Sequence, residues 1–340
     1  ILLSSNIHYM RGVLRALLAS GLGLMCSVLL VELAARIVFA NVIVYDVEMS
    51  KYATRVKRSS DNMNISHEHV PGSNTKLMGV EVDINSFGYR DEEYPVERIP
   101  GSVRVLMLGD SITFGWGVDE GNTFSSLLEQ DLARQLIGKV EVINSGVGNY
   151  NTVQQVAAFK KHGSKLSPDC VVVNFFLNDA EPTPQRSRVA GLLEHFQSLV
   201  FMWSRYDFLM RSVGQRPDAI TYYTDLYGAS DGWKAARESL TELKGVTSSH
   251  GAKLLLVLIP DLHIRDGQYP FLGVHEAVTD FAISQGIPTI DLLPYFQGVD
   301  DMSMLWVSAD DAHPNSEGHR LIADGIRDTL IDQCIVELNP

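Results

Sequence analysis

From Val103 onward the chain alternates two kinds of segment, and this alternation constrains the fold more than any other feature. Short apolar runs rich in β-branched residues stand at Val103–Leu108, Val140–Ile143, Cys170–Phe176, Lys253–Ile259 and Ile287–Leu292. Between them lie stretches with helical spacing: in Thr123–Leu136 the apolar residues Phe124, Leu127, Leu128, Leu132 and Leu136 recur three and four apart. A nearly continuous apolar strand has no wet face, so it must be covered on both sides, which is the condition of a parallel sheet. Right-handed crossovers then put helices on both faces. The pattern predicts an α/β fold, a three-layer α/β/α sandwich occupying residues 101–335.

The first residues follow a different rule. The uncharged stretch Ala16–Val31 would reach only about 24 Å as a helix, short of a bilayer core of about 30 Å. Arg15 can snorkel, Glu32 and Arg36 can pair at i, i+4, and a further apolar run begins at Ile37, all of which extend the usable length. We therefore expect an uncleaved transmembrane anchor within residues 1–45. A cleaved signal peptide, with Arg11 and Arg15 as its basic region and Val38-x-Ala40 as its cleavage site, is the main alternative, and a buried hydrophobic hairpin is another. Arg11 and Arg15 before the span favour a globular part outside the cytoplasmic membrane, although Lys51, Arg55, Lys57 and Arg58 after it pull the other way.

Residues 46–100 carry no helical periodicity and read as a lead-in segment. Within it Val80–Ile84 alternates apolar and polar residues and a turn follows at Asn85–Gly88, which predicts a short hairpin or edge strand. A long insertion, Glu181–His250, interrupts the strand–helix alternation and is dense in aromatic residues, including Tyr222, Tyr223 and Tyr227. It is expected to be core or a helical cap over the domain, and it follows the third strand, on the edge where open α/β sheets bind ligands. With 28 basic against 41 acidic residues and a net charge of −13, the chain lacks the positive field that nucleic-acid binding needs. Cys26, Cys170 and Cys334 are too few and too scattered to announce a disulfide framework or a metal site, and Cys170 reads as an inert buried thiol.

Polar residues gather where the strands end: Gly109-Asp110-Ser111, the segment from Asn144, the segment from Asn174 and the segment from Asp310. In an open parallel sheet the first three loops leave on one edge and become neighbours. Serine alone is a poor nucleophile at neutral pH and needs a base. His313 can supply it, and Asp310, three residues earlier, can fix the ring from behind. Pro314 then stiffens the exit, and Asn315 or Ser316 can cap the helix that follows. Asp110 is expected to hold the loop rather than react.

Gly109-Asp110-Ser111 after a strand, Asn178-Asp179 after the third strand, and Asp310 to Asn315 near the end together resemble the SGNH, or GDSL, hydrolases, as does the lead-in from Ile84 to Pro95. The resemblance implies a flavodoxin-like sandwich and carboxylic ester hydrolysis with no metal and no organic cofactor. It assigns Ser111 as nucleophile, His313 as base and Asp310 as its partner. It also implies an oxyanion hole from the backbone N–H of Ser111, a backbone N–H at Gly148 or Asn149, and the side-chain amide of Asn178. Two positions depart from the family pattern. Asn149 stands where a glycine is usual, and Phe176 replaces the glycine before Asn178 and is expected to narrow the pocket or shift the strand end. The expected partners are an ester substrate (an acyl lipid, an acetylated glycan or a small ester), the membrane, and other integral-membrane proteins. Two further readings stand beside the esterase: acyl transfer to a sugar hydroxyl, and a tethered accessory subunit of a larger membrane complex that kept the fold.

Overall fold

The computed structural model describes residues 2–135, 139–184, 191, 193–263 and 269–335. One continuous helix, α1 (Leu2–Phe39), takes in the first apolar run and the start of the second, which leaves the helix after Phe39. Its 30-residue segment Met10–Phe39 contains an 18-residue window of mean hydropathy 2.1 that is only 6% buried, and its length and composition suit a single-pass anchor or a signal sequence. Such a helix extends about 45 Å, enough to include Glu32 and Arg36 beyond a bilayer core of about 30 Å. These two residues pair as their spacing predicts, Arg36 Nε lying 2.8 Å from Glu32 Oε1.

A short break leads to α2 (Tyr45–Arg55) and then to two small antiparallel pairs. Strand β1 (Lys57–Ser59) pairs with β2 (His67–His69), and β3 (Asn74–Leu77) with β4 (Val80–Asp83). The expected hairpin is therefore present, but its tight turn lies before Val80. Met78 and Gly79, at φ 50° and 86°, make the reversal. Asn85–Gly88 forms a second turn, in which Asn85 Oδ1 accepts the N–H groups of Phe87 and Tyr89 at 3.0 Å.

The sandwich follows. Its elements are β5 (Val103–Leu108), α3 (Ser111–Phe114), α4 (Phe124–Gln135), β6 (Val140–Asn144), α5 (Thr152–Lys161) and β7 (Cys170–Phe175). After these come α6 (Gln197–Ser212), α7 (Ala219–Leu226), α8 (Asp231–Ser249), β8 (Lys253–Leu258), α9 (Leu272–Ser284) and β9 (Thr289–Asp291). The chain closes with α10 (Leu293–Phe296), β10 (Trp306–Ser308), β11 (Asp311–Pro314) and α11 (Ser316–Leu330). The central sheet runs β6-β5-β7-β8-β9 with every pairing parallel. Strand side chains alternate between two cores. Leu106, Leu108, Val171 and Val173 pack with α5, α8 and α9, whereas Val105, Met107, Val172 and Val257 pack with α4 and α11. Phe124, Leu127, Leu128 and Leu132 of α4 are buried as their spacing requires, and Leu136 lies outside the described residues.

The insertion divides its work. Helix α8 enters the core through Trp233, Ala236, Leu240 and Leu243, with Tyr227 buried beside it. Helix α6 packs on α1 and α2 instead, away from the sheet.

One expectation is overturned: Cys170 is not a free thiol but is disulfide-bonded to Cys334, tying the start of β7 to the chain just beyond α11. The two cysteines are 164 residues apart, so no local spacing could announce the pair. Closing so long a loop restricts the unfolded chain, and reducing the bond in the full chain should lower the unfolding free energy by about 2–4 kcal/mol. Denaturant melts with and without reductant, read by far-ultraviolet circular dichroism, check this; coincident curves would contradict the pairing.

Candidate active site

The turn after β5 is shaped by close packing. A Cβ on Gly109 would come within 1.9 Å of Thr113 Oγ1, so no larger residue fits between the strand and the next helix. Asp110 then caps α3, its Oδ1 accepting the N–H of Ile112 at 2.9 Å, while its Oδ2 accepts the side-chain amide of Asn178 at 2.9 Å. Burial pushes this carboxyl up against the pull of those two hydrogen bonds. Asp110 therefore holds the loop, as its position suggested, and also ties the first strand-end loop to the third. Ser111 opens α3, with its hydroxyl at the sheet edge and its backbone N–H in the first helical turn.

His313 reaches this serine from β11, Nε2 lying 2.8 Å from Ser111 Oγ. The carboxylate behind the ring belongs to Asp311, whose Oδ1 is 2.6 Å from Nδ1. This corrects the assignment of Asp310. The segment is a short strand paired antiparallel with β10, and residues two apart on a strand share a face. Asp311 therefore sits on the same side as His313, and Asp310 is left exposed outside the strand. Asp311 Oδ1 also accepts the N–H of His313 at 3.1 Å, and Oδ2 accepts the indole N–H of Trp116 at 3.0 Å. Burial opposes its charge, but these hydrogen bonds and the nearby imidazole hold the carboxyl below its ordinary range. Asn315, after Pro314, caps α11 by accepting the N–H groups of Glu317 and Gly318.

The second loop brings Gly148 and Asn149 to the same edge. The N–H of Gly148 donates to Tyr52 Oη at 2.9 Å, and a Cβ on Gly148 would strike that tyrosine ring at 2.6 Å. Asn149 is held at φ 66°, the left-handed conformation that glycine ordinarily supplies. Asn178 follows β7 in the turn Leu177–Ala180. The neighbouring Asp179 pins that turn by accepting the N–H of Phe176 and the side chains of Thr152 and Gln155. Phe176 is half-buried and packs against both cores, and β7 keeps its parallel register with β8 through Phe175. A cleft of about 430 Å³ opens at Asn149 and Asn178, with Lys57, His67, Glu181 and Glu194 on its walls.

Several contributors were not legible in the sequence, and most come from the lead-in. Tyr45, the first residue of α2, stacks on His313 with ring centroids 5.9 Å apart and meets Trp116 edge-on at 6.1 Å. Burial, with the nearby carboxylates, pushes its phenol up, so it stays neutral. His69 Nδ1 lies 2.9 Å from Gly88 O and must donate to it, which leaves Nε2 to accept the Tyr52 hydroxyl at 2.6 Å. Burial drives His69 down to about 3, consistent with that neutral tautomer. Fully buried Arg90 donates to the carbonyls of Phe114, Gly115 and Val118, closing the loop after Ser111. Asp91 accepts the N–H of Asn144 at 2.7 Å. The sequence signal that could have found this last pair was the Ile84–Pro95 lead-in, which contains both Arg90 and Asp91.

The profile of the GDSL-like lipase/acylhydrolase family matches residues 107–321, which include Ser111, Asn178, Asp311 and His313. No curated protein sequence matches the chain. Solved structures with similar coordinates include TesA, at 17% identity and TM-score 0.44, covering 68% of this chain and 99% of that one. The lipase/acylhydrolase from Enterococcus faecalis aligns at 18% identity and TM-score 0.42 over 67% of this chain and 95% of that one. A two-domain esterase active on acetylated mannans aligns at 19% identity and TM-score 0.44 over 70% of this chain and 51% of that one. The family profile spans more than half of the residues, from the end of β5 into α11, and on that match the chain belongs to the GDSL-like lipase/acylhydrolase family.

Proposed function

We propose that the chain is a membrane-anchored serine esterase that cleaves carboxylic esters through Ser111, His313 and Asp311. The observation that carries this reading is the continuous hydrogen-bonded line from Ser111 Oγ through His313 to Asp311, at 2.8 Å and 2.6 Å. Asp311 accepts from Nδ1, which leaves Nε2 as the base facing the serine hydroxyl. Ser111 Oγ attacks the ester carbonyl carbon while its proton passes to Nε2, and the carbonyl oxygen takes up the negative charge. The donors for that oxygen are the N–H of Ser111, the N–H of Asn149 and the amide of Asn178, each worth roughly 3 kcal/mol of barrier. Gly148, the other candidate in the second loop, has its N–H directed to Tyr52. Collapse expels the alcohol, which takes the proton from Nε2. Water then attacks the acyl-serine with its proton going to Nε2, and the acid leaves as Ser111 regains a proton.

The catalytic part is proposed to lie outside the cytoplasmic membrane, held by α1. A disulfide between Cys170 and Cys334 supports an oxidising compartment, and Arg11 and Arg15 ahead of the span support the orientation.

The purified full chain should hydrolyse a short-chain chromogenic ester, and Ser111→Ala should reduce kcat by about 10⁴-fold or more. Turnover unchanged by that substitution would overturn the reading, and acyl appearing on an added oligosaccharide faster than free acid would convert it to transfer. The two aspartates separate cleanly. Asp311→Asn should lower kcat by about 10³–10⁴-fold, because an amide in that place can stabilise the wrong tautomer. Asp310→Asn should leave kcat within about twofold, as for a surface change away from the reacting groups. The reverse ranking would reinstate Asp310.

A further inference from the structure

We propose that α6 is a second membrane contact, lying in the headgroup–acyl boundary of the leaflet next to the end of α1 and docking the catalytic domain flat on an anionic lipid surface. The proposal rests on the reading of α1 as a membrane span.

Helix α6 has three faces. The first is bound to α1 and α2. Glu32 of α1 caps the start of α6, its Oε1 accepting the N–H of Gln197 at 3.0 Å and its Oε2 accepting the N–H and the hydroxyl of Ser198 at 3.0 and 2.7 Å. Arg36 donates to His195 O at 2.7 Å, Phe201 meets Phe39 with centroids 5.3 Å apart, and Arg205 reaches Asp46 at 3.2 Å. The second face is polar, carrying Ser204, Asp207 and Arg211. The third is an apolar stripe at helical spacing: Leu199, Met202, Trp203, Tyr206, Leu209 and Val213, each between 39% and 62% exposed. Among the described residues Arg216 lies over the Trp203 ring, 5.9 Å from its centroid, and the stripe is otherwise exposed.

Two observations identify lipid as its occupant. The stripe begins beside Glu32, within the apolar length of α1, where Leu33, Ile37 and Val38 are themselves more than half exposed. The two apolar surfaces are thus continuous, and a bilayer that takes up α1 meets α6 at its rim, where tryptophan and tyrosine are favoured. The second observation is charge. A cleft of about 550 Å³ at the junction of α1, α2 and the β3–β4 hairpin is lined by Arg36, Lys51, Arg55 and Lys76 beside Phe39 and Ile43. Glu48 is the one acidic residue among its lining residues, and it pairs with Lys51. In a chain of net charge −13 this basic hollow next to the span complements anionic headgroups.

The experiment uses the full chain in lipid nanodiscs of phosphatidylcholine with a minority of phosphatidylglycerol, with acyl chains brominated either near the carbonyl or near the terminus. Of the four tryptophans Trp203 is the exposed one, Trp306 is half-buried, and Trp116 and Trp233 are buried. Cys26, the free cysteine among the described residues, sits mid-span on α1 and takes a bimane label. Shallow bromines should quench tryptophan emission more than deep ones, Trp203→Phe should abolish that quenching with ester turnover unchanged, and omitting phosphatidylglycerol should weaken it. Cys26-bimane should be quenched most by deep bromines. Quenched Cys26 with unquenched, acrylamide-accessible Trp203 would overturn the α6 proposal alone, because the stripe would then face water. Trp203 shielded from both quenchers, in a chain that self-associates or retains a protein partner, would overturn it in favour of a protein contact. If Cys26 escapes quenching while Trp203 does not, the α1 reading alone is contradicted.

Discussion

The parallel pairing of β5 with β6 on one side and β7 on the other is the constraint on which the rest depends. It sends the loops after all three strands out at one edge, so that the loops carrying Ser111, Asn149 and Asn178 are neighbours although they are far apart in sequence. These strands are buried on both faces, so turning any of them to water would expose one of the two cores. Asp110 converts proximity into fixed geometry: one carboxylate caps the helix that carries Ser111 and holds the amide of Asn178. The histidine arrives last, from β11, and its seat is the carboxylate of Asp311.

The segment between the apolar helix and the sheet is part of the same construction. Tyr45 covers His313, Tyr52 engages Gly148, Arg90 closes the loop after Ser111, and Asp91 holds the N–H of Asn144. The last three of these replace water on polar groups that would otherwise be buried and unpaired, a cost of roughly 1–3 kcal/mol per group. Because α2 starts only a few residues after α1, whatever fixes α1 also sets the position of the ring over His313. Capping of α6 by Glu32 extends that link to the insertion, so the apolar helix, the lead-in and the site form one connected body.

The sheet was readable from the sequence because apolar strands and amphipathic helices carry their own periodicities, and the strand-end loops were readable because a polar residue at the end of a buried run is conspicuous. The choice between Asp310 and Asp311 was not readable, since it turns on whether four residues form a strand: a turn would favour the three-residue spacing, and β11 favours the two-residue one. Asn149 was recognisable as a glycine substitute, and its φ of 66° is the left-handed geometry that glycine ordinarily supplies. Tyr45 and the Cys170–Cys334 pair left no local signal, because each acts on a partner brought close only by the completed fold.

The central claim is that Ser111 is the nucleophile, activated by His313. Reaction of the full chain with a fluorophosphonate, followed by peptide mass spectrometry, tests it most directly, since only a serine whose proton is removed by a positioned base attacks that phosphorus rapidly. The account predicts one adduct, on Ser111, that is lost in His313→Ala. An unmodified Ser111, or an adduct that forms equally well without His313, would contradict it.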